Sequence, residues 1–170
     1  MTDVFMGIVP EASVGKILIQ RNEETTLPML YYSKLPPSIA SKRVILLDLM
    51  LGTGGSAKCA VNVLLESGVK EENIYFFTVV FCPQGINAVS NAYPSITIVT
   101  GMMDAGLNEK AYIVPGLGDF GDRFFGTLAG LMTWFLIGSS FSCEVEIYTH
   151  FLTKSEVNMS LNIFKITVLH

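Results

Sequence analysis

A chain of 170 residues is one ordinary domain's worth, and with half of it apolar and 15% charged it can bury a sizeable core. A net charge of −4 without any basic block argues against nucleic acid as the main partner. Three cysteines, Cys59, Cys82 and Cys143, lack paired spacing and suit a reducing, cytoplasmic location, while His150 and His170 lie too late to build a histidine site within residues 1–127. Met1-Thr2-Asp3 opens on an acid, so no N-terminal signal pattern is read.

In chain order, Val4, Phe5, Ile8 and Val9 recur at helical spacing until Pro10 stops them. Val14 to Gln20 reads as a strand leading into the charged cluster Arg21-Asn22-Glu23-Glu24-Thr25, and Leu27 to Tyr32 as a second extended piece before the turn Lys34 to Ser38. Two extended segments around a polar loop predict a β-hairpin lying over something.

Val44 to Leu47 is a buried strand that ends on Asp48, a position where open α/β sheets place their ligands. A glycine-rich bend follows, Gly52-Thr53-Gly54-Gly55, and Ser56 opens a helix running to Ser67, with Gly68 as its C-cap. A strand passing through a tight glycine turn into a helix is an anion site, because the first helical N–H groups point outward and the helix dipole favours negative charge. A Walker loop is excluded, since Lys58 follows Ser56 instead of preceding it. Gly52-x-Gly54-x-x-Ala57 fits a dinucleotide fingerprint, but Glu71 and Glu72 precede the next strand instead of ending it. A third pattern remains: an acid near the strand end, a turn, then Thr-Gly-Gly-Ser, in which hydroxyls and amides take a monophosphate and the carboxylate takes ribose hydroxyls. Taken alone, the stretch favours this third pattern, with an ordinary strand–turn–helix as the alternative.

Asn73 to Phe81 is an apolar strand of the kind found in a parallel sheet covered on both faces. Cys82-Pro83 ends it, Gln84 to Ala92 is a short helix, and Ile96 to Thr100 is another strand. This alternation predicts an α/β domain with a parallel sheet. Cys59 reads as core, Cys82 as a strand-end residue with no nearby charge to activate it, and Met102-Met103 as packing. From Gly101 to Thr127 glycine is so frequent that a regular strand or helix is not expected; a loop approaching a small ligand through its backbone, or simply a long surface loop, is.

Several of these segments resemble those of one family. Asp48 to Ser56 is similar to the phosphoribosyl-diphosphate (PRPP) loop of uracil phosphoribosyltransferases. Val114-Pro-Gly-Leu-Gly-Asp-Phe-Gly-Asp-Arg-Phe-Phe-Gly-Thr127 resembles that family's uracil-recognition signature, and Gln20 to Thr25, Tyr32 to Pro36, Pro83 to Ile86 and Asp104 to Glu109 resemble further family segments in the same order. The resemblance covers residues 1–127 and implies a Rossmann-like phosphoribosyltransferase domain with a β-hairpin hood. It implies that Arg21 contacts the pyrophosphate and that Asp48, Leu49, Met50, Leu51, Gly52, Thr53, Gly54, Gly55 and Ser56 hold the ribose and 5-phosphate. Ile113, Gly118, Asp119 and Phe120 would take uracil, with Asp119 also near PRPP, so that Asp48 and Asp119 are the catalytic candidates. The implied reaction converts uracil and PRPP to UMP and diphosphate, as in pyrimidine salvage. Mg²⁺ arrives with PRPP, and a homodimer or higher oligomer is implied without nucleic-acid or membrane partners. An alternative is a non-catalytic uracil- or nucleotide-binding or assembly module, as in the C-terminal domain of uridine kinase-like proteins.

Three departures stand out. Leu49 and Gly52 replace the family's usual Pro and Ala, removing neither charge nor donor. The resemblance also places Met1 just past the family's Arg-Ala-Gly loop, so exposed sheet edges and a weaker hold on PRPP are expected. Residues 128–170 form an atypical C-terminal tail, expected to be of no selected function, with an added packing element as the alternative: Leu128 to Phe141 falls short of the ~20 apolar residues of a membrane helix, and Ser142 to His170 alternates loosely like strands.

Overall fold

The computed structural model describes residues 2–21, 27–118, 143–150 and 164–168, the last two segments as backbone strands. Helix α1 (Thr2–Ile8) leads into strand β1 (Ala12–Arg21), which turns back as β2 (Pro28–Lys34). The two pair antiparallel from Lys16 opposite Lys34 to Arg21 opposite Pro28, with an irregularity between Leu18 and Ile19, so the predicted hairpin forms. It lies against the start of the next helix, where Pro28 would touch a side chain built on Gly55, at 3.6 Å.

Strand β3 (Val44–Leu51), helix α2 (Gly55–Glu66), strand β4 (Ile74–Phe81), helix α3 (Pro83–Ala92) and strand β5 (Thr97–Met103) alternate as expected. β3, β4 and β5 run parallel in register from Val44 opposite Ile74 and Tyr75 opposite Thr97. Gly68 ends α2 in a left-handed conformation (φ +85°), and the bonds Gly68 N–H to Leu65 O and Val69 N–H to Leu64 O complete a Schellman motif. Pro83 opens α3, where its missing N–H would lack an intrahelical acceptor in any case.

The sheet order is β2-β1-β8-β9-β3-β4-β5, where β8 (Cys143–His150) and β9 (Phe164–Val168) come from the apolar-rich final part of the chain. β8 lies antiparallel to β1, from Ala12 opposite His150 to Ile19 opposite Cys143, and β9 lies parallel to β3, with Asp48 opposite Val168. The loose alternation seen in the sequence therefore forms two strands between β1 and β3. Among the described residues, no helix is long and apolar enough to cross a membrane.

One core joins Ile17 and Ile19 of β1, Val44 and Leu46 of β3, Ile74 and Phe76 of β4, and Ala57, Ala60, Val61 and Leu64 of α2. Cys59 packs at its margin as expected of a core residue, and burial, then the Glu66 carboxylate, pushes its thiol pKa up. β4 departs from the expectation of cover on both faces: Ile74, Phe76, Thr78 and Val80 are buried, while Val79 is 40% exposed. The burial of β4 thus alternates with period two, whereas Val44 to Asp48 of β3 are buried without a break.

Two boundaries move. β3 continues past Asp48 to Leu51, because Met50 and Leu51 pair with Val80 and Phe81, so Asp48 lies within the strand and not at its end. β5 likewise runs through Gly101 to Met103, held by Val80 opposite Met102 and Phe81 opposite Met103, and β6 (Gly106–Leu107) and β7 (Ile113–Val114) form a two-stranded ladder in the segment expected to be irregular. In both places ladder hydrogen bonds outweigh a local preference for turn.

Leu46→Ala, at a side chain with no exposure, is expected to lower unfolding free energy by about 2–5 kcal/mol, whereas Val99→Ala, half-exposed on β5, costs under ~1 kcal/mol. Urea denaturation of the two variants beside the parent chain checks this contrast.

Candidate active site

The carboxyl ends of β3, β4 and β5 gather two loops on one edge of the sheet. The first is the turn between β3 and α2. Gly54 occupies the N-cap of α2 in a left-handed conformation (φ +78°), and Gly55 N–H donates to Thr53 Oγ1 at 3.3 Å. The following first-turn amides have no acceptor within the helix and define the anion end of α2. Ser56, in that first turn, is buried. Asp48, four residues before Gly52, is also buried at 1% exposure, and its Oδ1 accepts a long hydrogen bond from Met50 N–H at 3.4 Å.

The floor of this turn is the start of α3. Cys82 N–H donates to Leu51 O at 3.2 Å, and the Cys82 thiol lies 3.2 Å from Gly52 O and donates to it. Gly85 packs so closely that a side chain there would collide with the carbonyl oxygens of Leu51 and Gly52. Neither residue is a sequence-predicted site residue. Only the crossover from β4 to α3 shows that they support the turn, although the unactivated Cys82 at a strand end was a partial signal.

The second loop is the β6–β7 hairpin and the turn that follows it. Asn108 shapes the hairpin: its Oδ1 accepts from Lys110 N–H at 3.0 Å and Tyr112 N–H at 2.9 Å. Ile113 is 3% exposed and packs with Val80, Cys82, Met50, Leu107 and Leu117. The Val114–Pro115 bond is cis, and Gly116 and Gly118 have φ of +57° and +68°. Gly118 is exposed, and a side chain built on it would meet nothing within 4 Å.

The two loops meet at Gly52. A side chain built there would stand 3.5 Å from Leu107 and 3.7 Å from Ile113, ordinary van der Waals contact. The structure thus brings Ile113 from the second predicted set against Gly52 from the first. Leu49 and Met50 are partly buried beside Asp48, and Leu51 is 1% exposed. Arg21 is the last residue of β1, with its backbone opposite Pro28. Asp119 and Phe120 lie outside the described residues.

A strand–turn–helix anion site roofed by a glycine-rich loop at the carboxyl edge of a parallel sheet suits a sugar phosphate with a small planar partner. The family model for uracil phosphoribosyltransferase matches residues 1–127. The chain belongs to the uracil phosphoribosyltransferase family. It is 60% identical over 121 residues to the uracil phosphoribosyltransferase of Dictyostelium discoideum, covering 71% of this chain and 56% of that protein. With the Saccharomyces cerevisiae enzyme the identity is 55% over 112 residues, covering 66% of this chain and 52% of that one. The Deinococcus radiodurans enzyme shares 48% over 127 residues, covering 75% and 60%. This family chain spans about half the length of the curated relatives it matches. A solved structure of the AQ2163 protein from Aquifex aeolicus superposes with a TM-score of 0.61 at 32% identity, covering 76% of this chain and 59% of that one.

Gly85→Ala places a methyl group against two carbonyls of the turn. It is expected to destabilise the domain by about 1–3 kcal/mol and to shift the amide signals of residues 52–56 more than those of β1. Thermal unfolding with two-dimensional amide NMR reads both effects.

Proposed function

We propose that this chain binds PRPP on the β3–α2 turn and uracil on the loop after β7, and transfers the phosphoribosyl group to make UMP and diphosphate. The observation that supports this reading is the approach of Leu107 and Ile113 to Gly52, which brings the loop read as the base site against the turn read as the phosphate site.

In this reading the 5-phosphate takes amides of Gly54, Gly55 and Ser56 and the hydroxyls of Thr53 and Ser56. Asp48 takes the ribose hydroxyls, exchanging its long bond to Met50 N–H, and their approach must part the cover over this buried carboxylate. Arg21 contacts the pyrophosphate, and Leu49, Met50, Leu51 and Gly52 shape the bend. Ile113 supplies an apolar wall for uracil, and Gly118, Asp119 and Phe120 complete the uracil site, with Asp119 also serving PRPP, as the family resemblance implies. Uracil N1 forms a bond to the anomeric carbon as the bond from that carbon to the diphosphate oxygen breaks. The diphosphate departs with the electron pair, and the N1 proton passes to solvent. The rate comes from aligning two substrates and from charge stabilisation at the leaving group, without a covalent nucleophile.

Among the described residues no three His, Cys, Asp or Glu side chains cluster. The Asp48 carboxylate beside the phosphate turn would suit a Mg²⁺ that keeps water and diphosphate oxygens as most of its ligands. Such an ion would neutralise the leaving diphosphate. An oligomer and a cytoplasmic setting belong to the same proposal, supported by family membership and by cysteines without paired spacing.

The test is formation of labelled UMP from uracil with PRPP and Mg²⁺. Asp48→Asn removes a charged acceptor worth about 1.5–3 kcal/mol, so kcat/KM for PRPP is expected to fall roughly 10- to 100-fold. Asp119→Asn is expected to reduce turnover as well. A second reading, a non-catalytic uracil- or nucleotide-binding module, predicts uracil or PRPP binding without turnover. Folded protein that neither turns over nor binds these ligands sinks both readings.

A further inference from the structure

Asp104 is a carboxylate with 7% exposure that the proposed chemistry does not use. It directly follows β5, and its N–H donates to Phe81 O, the last residue of β4, at 2.8 Å. Its backbone is thereby fastened to the carboxyl edge of the sheet, next to Cys82 and the floor of the phosphate turn. Its Oδ2 accepts a hydrogen bond from Gly116 N–H at 2.9 Å, across twelve residues of chain. The neighbouring Ala105 N–H donates to Val114 O at 3.0 Å.

Gly116 is the tightest point of the loop. It adopts φ +57°, and a side chain on it would collide with Ile113 O. Only a residue without Cβ closes the turn this sharply, and the turn must then be held in place from outside. The Asp104 carboxylate does so with a charge-assisted bond, shorter and stronger than a neutral one. Ile113, which packs against Gly52, lies three residues before Gly116 and Gly118 two after it, so the same bond holds the turn that joins them.

We propose that Asp104 is the positioning residue of the base-binding loop, fixing the Ile113–Gly118 turn through the Gly116 N–H without touching either substrate. This rests on the reading of the loop as the uracil site. It predicts a split between substrates: Asp104 governs the base and leaves the sugar phosphate alone, because the β3–α2 turn is supported separately by Cys82 and Gly85.

The experiment combines amide hydrogen exchange with ligand binding on the full chain. In Asp104→Ala, exchange at Gly116 is expected to rise at least tenfold, uracil affinity or 1/KM to fall about tenfold or more, and PRPP affinity to stay within about twofold. Asp104→Asn keeps an acceptor oxygen at the same distance and should recover most of both losses. If the alanine variant does not fold, Asp104→Glu replaces it: the charge stays but is displaced by one methylene, and the same split is expected. Unchanged exchange at Gly116, or equal weakening of uracil and PRPP, overturns the proposal. A parent chain that binds neither ligand sinks the reading of the site, while exchange across residues 113–118 still decides whether Asp104 holds the turn.

Discussion

The carbonyl oxygens of Leu51 and Gly52 leave β3 facing the start of α3, where Cys82 presents its N–H and thiol and Gly85 presents no side chain. This approach settles how far the β3–α2 turn can move, because a carbonyl held from below leaves the next residues little freedom. Gly54 can then cap α2 from a left-handed conformation, with the first-turn amides facing the sheet edge. The β3–α2 turn, the proposed phosphate site, thus depends on two successive crossovers, β3 to α2 and β4 to α3, packed together.

The same edge collects the second loop for a related reason. Parallel strands deliver all their exits to one side, so the segment after β5 emerges beside the segment after β3. Asp104 and Ala105 tie its far end back to the strands, while the β6–β7 ladder stiffens the middle. The result is a loop rich in glycine that nevertheless has a defined course. Glycine here permits sharp turns, and hydrogen bonds from outside the loop choose among the conformations it allows.

The arrangement of β1 and β3 belongs to a longer-range constraint. The strands carrying Arg21 and Asp48 do not pair with each other; β8 and β9 stand between them. The separation of these two site candidates is therefore set by backbone that comes from far along the chain. No local property of either strand determines that separation.

Much of the local architecture followed from the sequence alone. The hairpin of β1 and β2, the strands β3, β4 and β5, both crossover helices and the Gly68 cap were legible because each rests on periodicity or turn chemistry within about a dozen residues. The motif Asp48 to Ser56 could be read as a phosphate turn because glycine spacing and helix start are local too. Other features required the folded chain. Asp48 moved inside β3 because Met50 and Leu51 find partners in β4, and the strand at Gly101 persisted because Phe81 reaches Met103. Cys82, Gly85 and Asp104 gained roles through contacts with residues distant in sequence, where no spacing rule applies. The sequence by itself determined the elements and the chemistry of the motifs. The tertiary structure alone decided which motifs share an edge, since hydrogen bonds between distant segments choose among conformations that local preference leaves open.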